Sequence, residues 1–229
     1  MTTKIKLNLL KNIYIIYNEF IKKFKKACKI DCCNCCTCNV TITSLEALGV
    51  INYLRENKKS VLPDFLKNKK YFKPNLTTNQ IAELCIKGED IPQEDNNPNW
   101  GVCPFLSDKI CSIYQVRPFM CRAQISEHNC KKNGYSLIDP LILTANNLFL
   151  QYIEHIDYKG YFGNLADMLI TLSKKDNLEK YLNESPVIAN NTIIRNSKSK
   201  VLMIPPEHRI KITPVLNRLN RVITKQSEF

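Results

Sequence analysis

Six cysteines within eleven residues constrain this chain more than any other feature of its sequence. They lie between positions 28 and 38 and are Cys28, Cys32, Cys33, Cys35, Cys36 and Cys38. Buried structural cysteines behave as small apolar side chains and would follow the apolar periodicity of a helix or strand. Here two adjacent pairs stand among Asp, Asn and Thr, and thiols grouped at such short spacing are typical of metal sites. The pattern therefore predicts a thiolate metal site.

A second group of cysteines follows farther along the chain. Its members are Cys103, Cys111, Cys121 and Cys130. Cys85 stands apart from both groups in an apolar helical pattern, which indicates a buried structural thiol. The chain has only 3 histidines, none at metal-ligand spacing, so sulfur is expected to dominate the site. All-thiolate ligation suits zinc or an iron–sulfur cluster and argues against magnesium or calcium.

Several of these motifs together resemble the YkgJ-type cysteine-cluster family, which carries a CxxCxxCC signature. The matching segments are Cys32-x2-Cys35-Cys36, Val40, Thr43, Glu46-Ala47, Cys103-Pro-Phe-Leu, Cys111-Ser-Ile-Tyr and Arg117-Pro-x-x-Cys121-Arg122. The family is described as chelating zinc or iron, so the resemblance implies a metal-binding domain over roughly residues 28–130. The first cysteine of the family would fall at Lys29, one residue after Cys28. Either Cys28 completes the first ligand set, or Cys33 or Cys38 replaces it.

The candidate site contains eight thiols and two arginines. The predicted metal ligands are Cys28, Cys32, Cys35, Cys36, Cys103, Cys111, Cys121 and Cys130. Arg117 and Arg122 flank Cys121 and are predicted to lie at the cofactor, since cations beside thiolates stabilise the anionic sulfurs. Pairing of both arginines with carboxylates elsewhere is the alternative. Four thiolates suffice for zinc or for an iron–sulfur cluster, so the excess indicates two sites, or further thiols around one site.

Three functions are compatible with such a centre. The first is a metal-binding protein that holds an iron–sulfur cluster, or an iron or zinc ion, with redox activity as an option; we favour the cluster over zinc. The second is a zinc-stapled interaction or nucleic-acid-binding module, and the third is a metal-dependent enzyme that modifies a protein or a small molecule. No Ser-His-Asp, P-loop, GxGxxG or paired-carboxylate pattern supports a hydrolase, NTPase or dehydrogenase. The sequence leaves open whether the chain is an enzyme.

The formal net charge of +12 indicates an acidic protein or a nucleic acid as a partner. Lysine-coated helix faces explain the same excess, and bound thiolates would offset part of it. No apolar stretch is long enough for a membrane span, and Lys4, Lys6 and Lys11 interrupt any signal-peptide core. Clustered cysteines in an odd number argue against a disulfide scaffold, so a reducing cytoplasmic setting is expected.

The remaining sequence predicts a mainly α, single globular domain with irregular cysteine-rich loops and at most a small β-hairpin. An N-terminal amphipathic helix over residues 3–27 is expected to pack on the domain. Residues 28–130 would form the cysteine-cluster metal-binding domain and residues 131–229 a C-terminal helical extension. Two short apolar runs separated by Ser107-Asp-Lys predict the hairpin, and Val201–Ile204 is a candidate strand.

Three further helix starts are marked by capping residues. Thr43-x-x-Glu46 and Thr77-x-x-Gln80 match the capping box, in which a threonine hydroxyl and an acidic or amide side chain satisfy each other's backbone N–H groups. Asp139-Pro140 places a capping carboxylate before a proline at the first helical position. Helices are therefore expected after residues 43, 77 and 139.

Overall fold

Helices dominate the computed structural model, which describes residues 1–60, 71–94, 101–188 and 191–227. Their bounds are α1 Thr3–Ile21, α2 Ser44–Glu56, α3 Thr78–Lys87, α4 Phe119–Ala123, α5 Cys130–Asn133, α6 Pro140–Ile156, α7 Leu165–Ser173, α8 Lys175–Leu182 and α9 Arg209–Ser227. The prediction of a mainly α, single globular domain is confirmed. Across the described ranges, no helix combines the length and apolarity that a membrane span needs.

Short antiparallel strands complete the fold. They are β1 Thr41–Thr43, β2 Leu106–Ser107, β3 Ile110–Cys111, β4 Tyr161–Asn164 and β5 Ile193–Arg195. β2 and β3 form the predicted hairpin, and its turn residues Asp108 and Lys109 have φ values of 50° and 65°. Such left-handed residues match the twist of two-residue hairpin turns. The three-stranded sheet β1–β4–β5 was not anticipated, because its strands are short and come from distant parts of the chain.

The three expected helix starts are confirmed by their caps. Thr43 and Glu46 exchange both hydrogen bonds of a capping box at the start of α2, and Thr77 begins α3 in the same way. The Asp139 carboxylate accepts from the backbone N–H of Leu141 at 2.7 Å in the first turn of α6. These local signals fix where the helices that frame the cysteine loops begin.

Two large apolar cores among the described residues hold the elements together. The first lies among α1, α6 and α9, and the second lies among α2, α7 and the three-stranded sheet. Cys28 packs against the first core, whereas Cys36, Cys103, Cys111 and Cys121 pack against the second. The cysteine-bearing loops are thus held by burial of the surrounding apolar side chains on both sides.

Helix α1 ends at Ile21, six residues before the predicted end at residue 27. Four lysines crowd positions 22–26, and like charges three or four residues apart destabilise a helix. Beyond them the chain is held in a non-helical path, because the backbone N–H of Ala27 donates to Ser126 O at 2.8 Å. This turn of the chain leads the cysteine segment into the space between the cores.

The candidate strand at Val201–Ile204 is wrong, since this segment pairs with a side chain and not with another strand. The buried amide of Gln151 on α6 donates to Val201 O at 2.6 Å and accepts from Met203 N at 2.9 Å. A glutamine amide offers the same donor and acceptor pair as a strand backbone, so it satisfies polar groups of this segment without a sheet.

Asp157, just after α6, is a fully buried carboxylate that ties distant elements together. Its Oδ2 accepts from Ser44 Oγ at 2.6 Å and from Leu45 N at 3.0 Å, and its Oδ1 accepts from Tyr181 OH at 2.8 Å. Burial raises the pKa of this carboxyl from 3.8 to about 6, although these hydrogen bonds lower it in part. Gly160 passes so close to Asp157 and Ser44 that a Cβ there would overlap them.

Substituting Asp157→Asn should therefore change how stability depends on pH. Because the folded-state pKa exceeds the unfolded one, the contribution of Asp157 is complete below pH 3.8 and is lost as the pH rises through about 6. Relative to the variant, the wild-type free energy of unfolding should fall by about 2–2.5 kcal/mol between pH 4 and pH 7. Urea unfolding across this range measures the difference.

The exposed residue Asp176 on α8 provides the matched control for this measurement. Burial also raises the pKa of Asp167, to about 6, and that of Glu154, so wild-type stability alone would combine several titrations. The difference between wild type and Asp157→Asn isolates one of them. A difference that stays constant from pH 4 to pH 7 would show that burial does not raise the pKa of Asp157.

Candidate metal centre

A cavity of about 690 Å³ lies between the two cores, with Ile21 and Ile125 from the first core and Val40 and Leu165 from the second in its wall. Seven of the eight predicted ligands line it, namely Cys28, Cys32, Cys35, Cys36, Cys103, Cys111 and Cys121. Cys130 is not among the described residues that line it. The fold thus brings the two distant cysteine groups to one place.

Backbone hydrogen bonds join the two cysteine-bearing segments directly. Cys103 N donates to Cys36 O at 3.0 Å, and Cys38 N donates to Gly101 O at 2.9 Å. The Cys38 thiol donates to Val102 O at 3.0 Å, which satisfies it away from the cavity. These contacts join the two segments directly.

Residues 28–38 fold as consecutive turns with no helix or extended strand. Cys32 N donates to Lys29 O at 3.1 Å, and Cys36 N donates to Cys33 O at 2.9 Å. Turns of this kind point neighbouring side chains in different directions, so adjacent cysteines differ in where their sulfurs lie. Cys36 lines the cavity, whereas Cys33 beside it in the turn is not among the described lining residues.

Of the three cysteines that could complete the first ligand set, Cys28 lines the cavity, whereas Cys33 and Cys38 are not among its described lining residues. The Cys28 sulfur accepts from Ser126 N at 3.3 Å. Burial raises the pKa of the Cys28 thiol, the bond from Ser126 lowers it in part, and nearby thiols, including that of Cys130, raise it. Cys130 therefore lies near Cys28 but outside the cavity wall.

Helix α4 carries Cys121. The first residue of this helix, Phe119, anchors the helix in the first core. Phe119 is fully buried, with its ring centroid 4.6 Å from that of Tyr17 and 5.7 Å from that of Phe149. The backbone N–H of Phe119 donates to Glu46 Oε1 at 2.7 Å. Cys121 is thus positioned by an aromatic cluster and by a buried carboxylate on α2.

Arg122 is buried beside Cys121 and holds the turn that precedes α4. Its Nε donates to Arg117 O at 3.0 Å, and its Nη2 donates to Gln115 O at 3.1 Å. The guanidinium carbon lies 4.2 Å from the ring centroid of Tyr14, in a cation–π contact. Arg122 lines the cavity, but these two N–H groups donate to backbone carbonyls of the preceding turn. Arg122 therefore fixes the position of that part of the cavity wall.

Arg117 is half-buried in the cavity wall and stacks on Tyr114. Its guanidinium carbon lies 3.8 Å from the Tyr114 ring centroid, and Nη1 donates to Tyr114 O at 3.1 Å. Burial raises the pKa of the Cys111 thiol, and the positive charge of Arg117 counteracts that increase. Among the described residues, neither Arg117 nor Arg122 forms an ion pair with a carboxylate.

Burial dominates the ionisation of most thiols at the cavity. It raises the pKa of Cys103 to about 11 and raises that of Cys121 further, because a thiolate loses solvation in the wall. The pKa of Cys36 shifts in the opposite direction. The Cys35 thiol donates a hydrogen bond to the Cys36 sulfur, which lowers the pKa of Cys36. Cys103, Cys121 and Cys111 counteract this shift through their charges, so these sulfurs share one electrostatic environment.

The thiols surround the cavity without meeting at one point. Within the part of the chain that the structure describes, no three Cys, His, Asp or Glu side chains form a group that could hold a metal ion. Each sulfur has three staggered positions about its Cα–Cβ bond, so side-chain rotation changes how far it reaches inward. The donor set itself fits zinc or an iron–sulfur cluster, because the described lining residues include thiols but neither carboxylates nor imidazoles.

The interpretation of Cys85 as a buried thiol is wrong, because Cys85 is exposed on α3. This helix buries Asn79 and Ala82 instead. The Asn79 amide donates to Gln151 O at 3.2 Å, so polar contacts with α6 set the rotation of α3. Cys85 consequently faces solvent, away from the cavity.

Glu46 and the lysines of the cavity wall were not selected from the sequence as site residues. Glu46 carried a signal, since it occupies the third position of a capping box, yet its Oε1 also accepts from Tyr14 OH at 2.7 Å. Lys26, Lys29 and Lys109 line the cavity. Nothing in the sequence distinguishes these lysines from the many that coat helix surfaces.

No protein-family model, curated protein or solved structure matches this chain. The resemblance to the YkgJ-type family therefore rests on the cysteine motifs and stays a prediction. The function of the site has to follow from its own geometry and donor chemistry.

Proposed function

We propose that this protein binds an iron–sulfur cluster through cysteine thiolates at the cavity. The observation that carries this proposal is the presence of seven thiols from two distant segments around one cavity. An iron–sulfur cluster takes four cysteine thiolates, and a shell of additional sulfurs and hydrogen-bond donors tunes its potential. The absence of carboxylates and imidazoles among the described lining residues supports the same choice.

Cys36, Cys103, Cys111 and Cys121 are the first candidates for ligands. Their charges act on one another, and both segments contribute. The other three cavity cysteines supply alternative or neighbouring thiols. When bound, the cluster would supply electron transfer or a rigid cross-link, and its binding would release the protons that the buried thiols retain.

Zinc is the alternative centre, in a structural role. Four thiolates bind zinc tetrahedrally at about 2.3 Å, and a zinc ion would reinforce the backbone bonds that already join Cys36 with Cys103 and Cys38 with Gly101. The protein would then be a zinc-stapled interaction module. Its net charge of +12 supports an acidic protein or a nucleic acid as the partner.

In this proposal the protein resides in a reducing compartment such as the cytoplasm, whether it holds the cluster or zinc. All eleven cysteines are free thiols in the structure. Thiols persist in this form where cellular reductants are present, whereas oxidising compartments convert accessible neighbouring thiols to disulfides.

Metal and sulfide analysis of protein purified without oxygen tests the proposal. We expect iron and acid-labile sulfide in equal amounts, together with visible absorption that disappears on exposure to oxygen or chelator. Apo-protein reconstituted with iron and sulfide should regain both. One zinc per chain with no sulfide, under the same anaerobic conditions, would contradict the cluster and favour the zinc module. No bound iron or zinc would contradict both.

A further inference from the structure

The cavity holds more space than a metal centre requires. Metal–sulfur bonds are about 2.3 Å long, so an iron–sulfur cluster or a zinc ion stays among the thiols that bind it, whereas cavities of roughly 300–1,000 Å³ are typical of small-molecule sites. At about 690 Å³ this cavity falls within that range. Its wall also contains apolar side chains that a metal does not need, including Leu106, Ile113 and Met120.

Apart from the thiols, which carry negative charge only as thiolates, every charged side chain among the described lining residues is basic. The cationic residues that line it are Lys26, Lys29, Lys109, Arg117 and Arg122, and none of the described lining residues carries a carboxylate. Lys26, Lys29 and Lys109 form no ion pair with any described acidic residue. The wall therefore offers positive charge that no described group neutralises through an ion pair.

Glu46 does not alter this balance within the cavity. It raises the pKa of Cys121 from behind the wall, but it is not a lining residue. Its Oε1 accepts from Tyr14 OH and Phe119 N, and its Oε2 accepts from Thr43 N at 2.9 Å. Both oxygens are thus engaged within the fold.

We propose that the cavity binds a small organic anion, with a carboxylate or phosphate head and an apolar body, beside the metal centre. Arg117 is the main contact for the head, because its planar guanidinium suits both groups and is held against Tyr114 in the wall. Lys109, on the hairpin turn of the same cysteine-bearing segment, adds further positive charge. The apolar side chains receive the body of the ligand. This inference rests on the proposed function, since it places the ligand at the same site.

Calorimetric titration of the metal-loaded protein tests this inference with four probes. Hexanoate and hexyl phosphate carry the proposed chemistry with different heads, hexylamine has the same tail with opposite charge, and inorganic phosphate has the head without the tail. We expect at least one anionic amphiphile to bind at least tenfold more tightly than hexylamine and inorganic phosphate. Equal binding of all four, or none, would overturn the inference.

Two cavity variants and one surface control connect that binding to named residues. Arg117→Gln should weaken the anion by about tenfold or more, since it removes a charge-assisted hydrogen bond. Lys109→Asn keeps a residue that tolerates the left-handed turn and should weaken it less. Lys175→Gln, on the exposed face of α8, should leave it unchanged. Unchanged affinity in both cavity variants would refute the assignment.

Metal content is measured on every sample, so the two proposals can fail separately. A protein with a full metal centre and no anion binding refutes only the inference. A protein that lacks iron and zinc after anaerobic purification refutes the metal-centre proposal, whatever the anion does. An Arg117→Gln protein that loses both metal and anion would place Arg117 at the metal centre and overturn its role as an anion contact.

Discussion

Replacing Cys36, Cys103 or Cys121 by serine is expected to remove most of the bound metal. Each of these sulfurs lines the cavity, and their charges act on one another. A serine hydroxyl is a poor ligand for zinc or iron, because these metals prefer the soft thiolate. Metal and sulfide per chain, measured after anaerobic purification, report the loss. The fold should persist in part, since two apolar cores surround the site.

Two matched cysteine variants are the controls. Cys85→Ser lies on the exposed face of α3 and should keep full metal content, with a stability change within about 0.5 kcal/mol. Cys38→Ser should also keep the metal, because a serine hydroxyl can donate to Val102 O as the thiol does. If Cys85→Ser lost metal while Cys103→Ser retained it, the site would have been assigned to the wrong thiols.

Substituting Glu46→Ala should destabilise the fold by about 3–4 kcal/mol. The change leaves the hydroxyl of Tyr14 and the backbone N–H groups of Phe119 and Thr43 without their acceptor in a buried environment. Each unsatisfied buried donor costs about 1–3 kcal/mol. Urea and thermal unfolding of the as-isolated proteins measure the loss. Metal content should fall as well, because Glu46 fixes the start of the helix that carries Cys121.

Glu46→Gln separates hydrogen bonding from charge in this prediction. A glutamine carbonyl can accept from Tyr14 and Phe119, so this variant should lose about 1 kcal/mol, from the capping contact with Thr43. It should keep its metal. Equal losses in the alanine and glutamine variants would show that the negative charge matters, for instance through the nearby guanidinium of Arg122, and not the hydrogen bonds that Glu46 accepts.

Local chemistry allowed several elements to be predicted from the sequence. The capping boxes at Thr43 and Thr77 act over three residues, so their effect does not depend on the rest of the fold. The hairpin at Leu106–Cys111 depends on two turn residues and is similarly local. The cysteine spacing selected seven thiols that line one cavity, because clusters of soft ligands in polar loops have few structural explanations.

Tertiary contacts decided what local patterns could not. Cys85 follows an apolar helical periodicity, but the bond from Asn79 to Gln151 rotates α3 and exposes it. Gln151 also bonds the backbone of Val201 and Met203, where the sequence pattern predicts a strand. In both cases a buried side-chain amide, of Asn79 or of Gln151, forms a contact between two elements that the local sequence pattern does not reveal.

The sequence by itself determined that thiols would be concentrated in two segments and that the fold would be mainly helical. Only the tertiary structure decided that the segments meet through Cys36 and Cys103, that Glu46 supports α4, and that lysines line the same cavity. The physical reason is the range of the interactions. Capping, turn geometry and ligand spacing act within a few residues, whereas burial and charge at a cavity depend on residues far apart in the chain.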